Sequence, residues 1–302
     1  MKIVFSFLLS LVTLFCYSQD SSRYTQSEII YGRKDGMALT MIKLSPKEHA
    51  NGKGIISVIS GNWNSSYARA LLAIGRAPVF INAGYTVLLV IHGSQPRYTI
   101  AEQLEDIKRA VRFIRFHAAE YGIDPGHIGI TGASSGGNLS LLTALTDDRP
   151  DNRSRDSVDK VSSRVQAAAV FFPPTDFLNW GGSNTGLRKD LLARTGVAGA
   201  FDFKKLNPAT GIYEAIPVDK LDSVVKAISP IYSVSADDPP VLIIHGDADV
   251  IVPLQQSQSL IGRLNENKVP NQLIVKAGGG HGWRNPEEEE KKIMEWFDKY
   301  LH

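Results

Sequence analysis

His127-Ile128-Gly129-Ile130-Thr131-Gly132-Ala133-Ser134-Ser135-Gly136-Gly137-Asn138-Leu139 is the stretch on which the fold turns. Residues 127–131 are short and β-branched and read as a strand. Residues 138–145 are rich in Leu and Ala and read as a helix. Between them lies Gly132-Ala133-Ser134-Ser135-Gly136, a Gly-x-Ser-x-Gly in a strand-to-helix turn. A nucleophile elbow needs that context: glycines permit a turn too tight for side chains, and the turn lifts one serine hydroxyl above the sheet. The helix that begins there directs unpaired N–H groups toward any oxyanion formed on that serine. A plain Gly/Ser-rich loop has the same letters, so the pentapeptide takes its meaning from the other strand ends.

Working outward, residues 54–60 and 85–91 read as buried strands on the N-terminal side. Residues 165–172, 241–245 and 272–276 do so on the C-terminal side. Helical segments fall between them. Residues 67–83 are broken at Pro78, and residues 100–120 carry Ile100, Leu104, Ile107, Val111, Ile114 and Ala118 at spacings of three or four, which form one apolar stripe. Residues 253–267 and 286–301 are the last helices. Asn285 is the expected N-cap of the final one, with Pro286 at its first position and Glu287 to Glu290 against its positive end. Alternating strands and helices predict an α/β fold, a mostly parallel sheet covered on both faces. Residues 28–33 and 37–44, flanking Lys34-Asp35-Gly36, predict an antiparallel hairpin at its leading edge. Residues 19–27 are polar and read as disordered, and residues 147–164 as an exposed loop. Residues 173–238 show no strand periodicity, with short helical pieces near 186–195 and 219–227. So long an irregular segment between core strands predicts a cap inserted into one domain spanning residues 28–302.

The chain has 302 residues and a net charge of +2, with no basic stripe, so nucleic acid is not an expected partner. Lys2, an apolar run over residues 3–15 and Cys16-Tyr17-Ser18 have the form of a signal peptide, residues 1–18, cleaved after Ser18. The run is too short for a stable membrane span. Lipidation of Cys16 is the lesser alternative, because bulky Phe15 precedes it. The expected location is therefore the periplasm or the exterior. Cys16 is the single cysteine. The mature chain then has no disulfide, no Cys-ligated zinc and no cysteine nucleophile.

Three strand-end loops carry the residue types of nucleophilic catalysis. Ser134 follows the strand at 127–131. Asp247 and Asp249 follow 241–245, and His281 follows 272–276 in Gly280-His281-Gly282. A serine is a weak nucleophile until a histidine takes its proton, and a carboxylate must fix that histidine's tautomer. Asp249 is preferred to its rival Asp247, because Asp-x-x-Val-Pro leads straight into the next helix. Each member has a structural alternative: Asp249 as a helix cap, His281 as an exposed loop residue. His92 and His245 also lie at strand ends and are read as structural. The order Ser, Asp, His on three strand ends is more specific than any one of them.

These segments, with Gln95-Pro96-Arg97-Tyr98-Thr99-Ile100 and Phe172-Pro173-Pro174-Thr175-Asp176, resemble the α/β-hydrolase fold. They are most similar to its esterase/lipase branch, near the bacterial feruloyl- and acetyl-esterase-like (BD-FAE-type) hydrolases. The resemblance covers residues 28–300. It implies Ser134 as nucleophile, Asp249 as acid and His281 as base, an acyl-enzyme, and no cofactor or metal. Members of this branch carry His-Gly-Gly-Gly or His-Gly-Gly-x-Trp after the first parallel strand. Ser60-Gly61-Asn62-Trp63 stands there instead. Backbone N–H groups make the oxyanion hole, so Asn62 with Ser135 is the expected donor pair, and Gly61 is the rival to Asn62. Trp63, and Phe177, Trp180 and Tyr213 of the cap, are candidate pocket residues, with core packing as the alternative for each. The expectation is an exported serine esterase acting on acylated polysaccharides or small acyl esters. A small amidase or peptidase, and a non-catalytic binding protein on the same fold, are the alternatives. Nothing in the sequence sets an oligomeric state.

Overall fold

A computed structural model describes residues 23–182 and 196–302. The expected signal peptide and the helical piece near 186–195 lie outside the described residues. The chain opens with β1 (Tyr24–Lys34) and β2 (Met37–Pro46), an antiparallel hairpin. Asp35 and Gly36 both have positive φ, 48° and 80°, as a two-residue turn that follows the strand twist requires. Then come β3 (Gly54–Ile59), α1 (Tyr67–Ala73), α2 (Pro78–Asn82), β4 (Thr86–Ile91) and α3 (Ile100–Phe116). After them follow β5 (Ile128–Ala133), α4 (Ser135–Leu145) and β6 (Ala167–Phe171). The cap contributes β7 (Lys204–Asn207), β8 (Ile212–Ala215) and α5 (Val218–Ala227). The chain closes with β9 (Val241–Gly246), α6 (Leu254–Glu266), β10 (Asn271–Lys276) and α7 (Glu287–Tyr300).

The main sheet has the order β1-β2-β4-β3-β5-β6-β9-β10. In that order every pair from β4 to β10 is parallel, and β2 alone in this sheet runs against the rest, antiparallel to both β1 and β4. The two faces carry separate cores. Ile56, Val58, Ile130 and Val170 point to α3, α4 and α6, packing with Ile107, Val111, Leu142 and Leu260. Ile55, Ile59, Ala169 and Phe171 point the other way, to Phe80, Ile293 and Phe297 on α2 and α7. This alternation of faces is what the period-2 geometry of a strand dictates. In a parallel sheet covered this way, chemistry collects at the carboxyl ends of the strands.

Three expectations are corrected. Tyr24 to Ser27 are not disordered but pair with Pro46 to Lys43, and Tyr24 is buried. The polar side chains of Thr25, Gln26 and Ser27 face solvent on an edge strand, so no apolar alternation announces it. Residues 147–164 are mostly exposed, as expected of a loop, and side-chain bonds tie them to α3. Arg109 bonds Asp156 and Asp159, each at 2.6 Å, and Arg112 bonds Asp148 at 3.1 Å. The cap holds the β7–β8 hairpin, whose side chains are nearly all exposed and therefore lack periodicity. Pro286, not Asn285, occupies the N-cap of α7, because Asn285 turns the chain at φ 55° one residue earlier.

Candidate active site

The elbow is tight because its glycines lack side chains. A Cβ on Gly132 would lie 2.5 Å from the Gly136 carbonyl, and one on Gly136 would lie 2.7 Å from Val58 O. Those approaches let α4 start directly at the end of β5. Ser134, between strand and helix, has φ 54° and ψ −122°. Such a conformation costs a non-glycine residue about 1–3 kcal/mol and persists only where the surroundings hold it. Here Ser134 N–H donates to Phe171 O at 3.0 Å, and Asn138 N–H donates to Ser134 O at 2.9 Å.

Ser134 Oγ lies 2.8 Å from His281 Nε2, and His281 Nδ1 lies 2.7 Å from Asp249 Oδ2. The three residues singled out on separate strand ends thus meet in one hydrogen-bonded chain. The Asp249 side chain is fully buried and that of His281 is 15% exposed. Asp249 is an ordinary Asx turn put to further use: Oδ1 accepts from Ile251 N and Val252 N, each at 2.9 Å, which leaves Oδ2 for the histidine. Burial by itself would raise this carboxyl. Hydrogen bonds from His245, His281, Val252 and Ile251 outweigh it and hold Asp249 well below the usual carboxylate range. Asp247 is exposed and accepts from Gly278 N at 2.6 Å, so it braces the neighbouring loop instead. The carboxylate on Nδ1 leaves the other ring nitrogen facing the serine, which is the tautomer a general base needs.

Phe172, at φ 35°, follows β6 and sets its ring 4.6 Å from that of His281. The loop after β3 is sharply folded, with Asn62 and Trp63 both at positive φ, 54° and 55°. It corrects the rival oxyanion donor: Gly61 N–H is bonded to Asn64 O at 2.9 Å and has no direction left for a substrate. The N–H groups of Asn62 and Ser135 meet no acceptor among the described residues. Ser60 Oγ lies 3.0 Å from Ser135 Oγ and joins the loop to the start of α4. Gln95 donates to Asn62 O at 3.3 Å and Gln103 to Trp63 O at 3.1 Å, so the loop is held from below.

The pocket candidates divide. Trp63 is 5% exposed and Phe177 1%, with ring centroids 5.8 Å apart, and both belong to the core. Trp63 Nε1–H is taken by Asn138 Oδ1 at 3.3 Å. Trp180, stacked on Phe177 at 6.1 Å, is only partly buried and is the one of these three that reaches the surface. Tyr213 stands out from β8 at 67% exposure. His92 is buried and donates through Nδ1 to Gly93 O at 2.7 Å, with burial pressing its pKa down to about 4. Among the described residues no group of three or more His, Cys, Asp or Glu is arranged to hold a metal ion. Sequence reasoning missed the contact of His245 with Asp249, at 3.3 Å, because a histidine inside an apolar strand gives no sign of what faces it. The His245-Gly246-Asp247-Ala248-Asp249 spacing was the available signal.

Comparison with known proteins bears on the family and the fold. A family model described as BD-FAE matches residues 41–264. The probable carboxylic ester hydrolase LipM of Mycobacterium tuberculosis is 33% identical over 194 residues, 64% of this chain and 40% of that protein. Esterase LipQ of the same organism is 28% identical over 214 residues, 70% of this chain and 45% of that protein. The chain therefore spans less than half the length of these two curated relatives. Among solved structures, a truncated form of a carbohydrate esterase from gut microbiota superposes with TM-score 0.75 and 26% identity, covering 94% of this chain and 98% of that one. The butyrate-bound esterase Est2 of Thermogutta terrifontis shares the fold, with TM-score 0.69 at 23% identity over 91% of this chain and 93% of that one. With the family model matching most of the chain on this fold, the protein belongs to the BD-FAE family of α/β-hydrolase esterases.

Proposed function

We propose that the protein is a serine hydrolase of carboxylic esters, with Ser134 as nucleophile, His281 as base and Asp249 as acid. One observation carries the reading: the unbroken chain from Ser134 Oγ to His281 at 2.8 Å and from His281 to Asp249 at 2.7 Å, set at three strand ends. As Ser134 Oγ bonds to the ester carbonyl carbon, its proton passes to His281 Nε2. The carbonyl oxygen becomes an oxyanion between the N–H groups of Asn62 and Ser135. Collapse breaks the bond to the alcohol oxygen, which leaves with the proton from His281. Water then gives a proton to His281 and attacks the acyl carbon. The second collapse releases the acid and returns the proton to Ser134. Losing one oxyanion donor typically costs about 10²–10³ in kcat, so the fold of residues 60–63 is part of the chemistry.

The substrate class we favour is an acyl group on a polysaccharide or a small alcohol. The likeness to a structure named as a carbohydrate esterase supports it. Export through residues 1–18 fits a substrate outside the cytoplasm. N-terminal sequencing of protein recovered from the periplasm or medium should start at Gln19; recovery only from the cytoplasm, starting at Met1, would refute export. The reaction is tested with p-nitrophenyl esters of increasing chain length, run beside feruloyl esters, acetylated xylan and peptide amides. Hydrolysis of short esters and none of the amides is expected. Cleavage of the amides alone would refute the ester reading.

A further inference from the structure

We infer that His245 is a positioning residue for Asp249, a second imidazole that holds the acid in register with His281. The inference rests on Ser134, His281 and Asp249 acting as proposed above. His245 sits near the end of β9 with its side chain fully buried. Its Nε2 lies 2.9 Å from Val252 O and 3.3 Å from Asp249 Oδ2. A carbonyl and a carboxylate only accept, so Nε2 carries hydrogen. Nδ1 lies 2.6 Å from Ser257 Oγ on α6, and the hydroxyl is then its donor when the ring is neutral.

Two consequences follow from this placement. The first is mechanical. His245 holds the carbonyl of Val252, whose N–H holds Asp249 Oδ1 at 2.9 Å, so both ends of the carboxylate depend on one imidazole. The second is electrostatic. Oδ2 faces two N–H groups, one from each histidine, and each tempers the charge it offers the other. The titratable groups facing Asp249 are His245 from β9 and His281 from the loop after β10. From α6 the contact is the uncharged Ser257, and from the end of β6 it is Phe172, with its ring 6.4 Å from that of His245. Asp247 is turned away to Gly278 N.

The test compares His245→Leu, His245→Gln and Ser134→Ala in the full chain, with p-nitrophenyl acetate as substrate. His245→Leu removes the donor. Partners that orient a working side chain typically matter by about 10- to 100-fold, and that loss is expected in kcat with KM little changed. Asp249, with one donor fewer, holds the proton on His281 more firmly, so the acid limb of kcat/KM moves to higher pH. His245→Gln places an amide N–H near the old Nε2 and restores most of kcat and the position of the limb. A Leu variant with the wild-type limb and kcat overturns the inference, and so does one whose kcat falls with its melting temperature while the limb stays put. If the Leu variant does not fold, Ser257→Ala decides. It loosens the ring by freeing Nδ1 and should move the limb the same way by a smaller amount; an unmoved limb overturns the inference. Ser134→Ala separates the two levels: full activity there defeats the proposed site itself, whereas its loss beside an unaffected Leu variant defeats only the role of His245.

Discussion

Asp249 and Asp247 stand two positions apart in one loop, and their surroundings give them different work. Asp249 is buried and reaches His281; Asp247 is exposed and reaches the Gly278 backbone. Replacing Asp249 by Asn removes the acceptor that selects the His281 tautomer, and kcat should drop by about 10⁴-fold. Asp247→Asn retains an acceptor oxygen for Gly278, and its kcat should stay within a few-fold of wild type. Steady-state kinetics of the pair check this; equal losses would mean the two acids were assigned wrongly. Because Asp249 is held well below the usual carboxylate range, it stays ionised in mild acid. Protonation of Asp249 is therefore not expected to limit activity in that range. Asn62 offers a second contrast. Its φ of 54° suits Asn and Gly but not a β-branched residue. Asn62→Gly should keep kcat, while Asn62→Val should lower it by about 10²-fold through displacement of the oxyanion N–H.

At the scale of elements, the elbow joins β5 to α4 at a distance only glycine permits. Gly136→Ala puts a methyl 2.7 Å from Val58 O, and the backbone has to move. Overpacking of this kind costs about 1–3 kcal/mol, and it also tilts Ser134 away from His281. Urea unfolding and kcat should therefore fall together in that variant; retention of both would show that the elbow is not so constrained. What was legible beforehand follows the same division. The strands and the stripe of α3 were readable because burial on a defined face writes a period into the sequence. The meeting of Ser134, Asp249 and His281 is legible because the carboxyl ends of the parallel strands lie along one edge of the sheet. Tyr24 to Ser27 and the β7–β8 hairpin were not, since exposed strands are set by backbone pairing that leaves side chains free. Gly61 and Asn62 are not separable from sequence either, because which N–H points outward depends on the Gly61–Asn64 bridge formed on folding.

For the whole molecule, the sheet has two cores, and the one beneath α7 contains a buried charge. Glu290 is 8% exposed and has Arg76 at 3.8 Å as its ion pair. Burial pushes its carboxyl up from 4.5 to about 7, with Arg76 opposing and Glu287 and Glu289 reinforcing. Below the unfolded value the group is neutral in both states. As pH rises toward 7 the unfolded chain ionises first, and stability is lost. Glu290→Gln escapes that loss, so its advantage over wild type should grow from nothing near pH 4 to at most about 3 kcal/mol near pH 8. Chemical denaturation at the two pH values checks it; an advantage that does not change with pH would show that Glu290 ionises freely in the folded protein.

The most direct trial of the whole account is intact-mass spectrometry of the protein after treatment with a fluorophosphonate. One adduct is expected on the wild type, mapped to the peptide carrying Ser134, with loss of esterase activity in proportion. No adduct is expected on Ser134→Ala. An unlabelled wild type, or a Ser134→Ala variant labelled to the same extent, would contradict the assignment of Ser134 as the nucleophile.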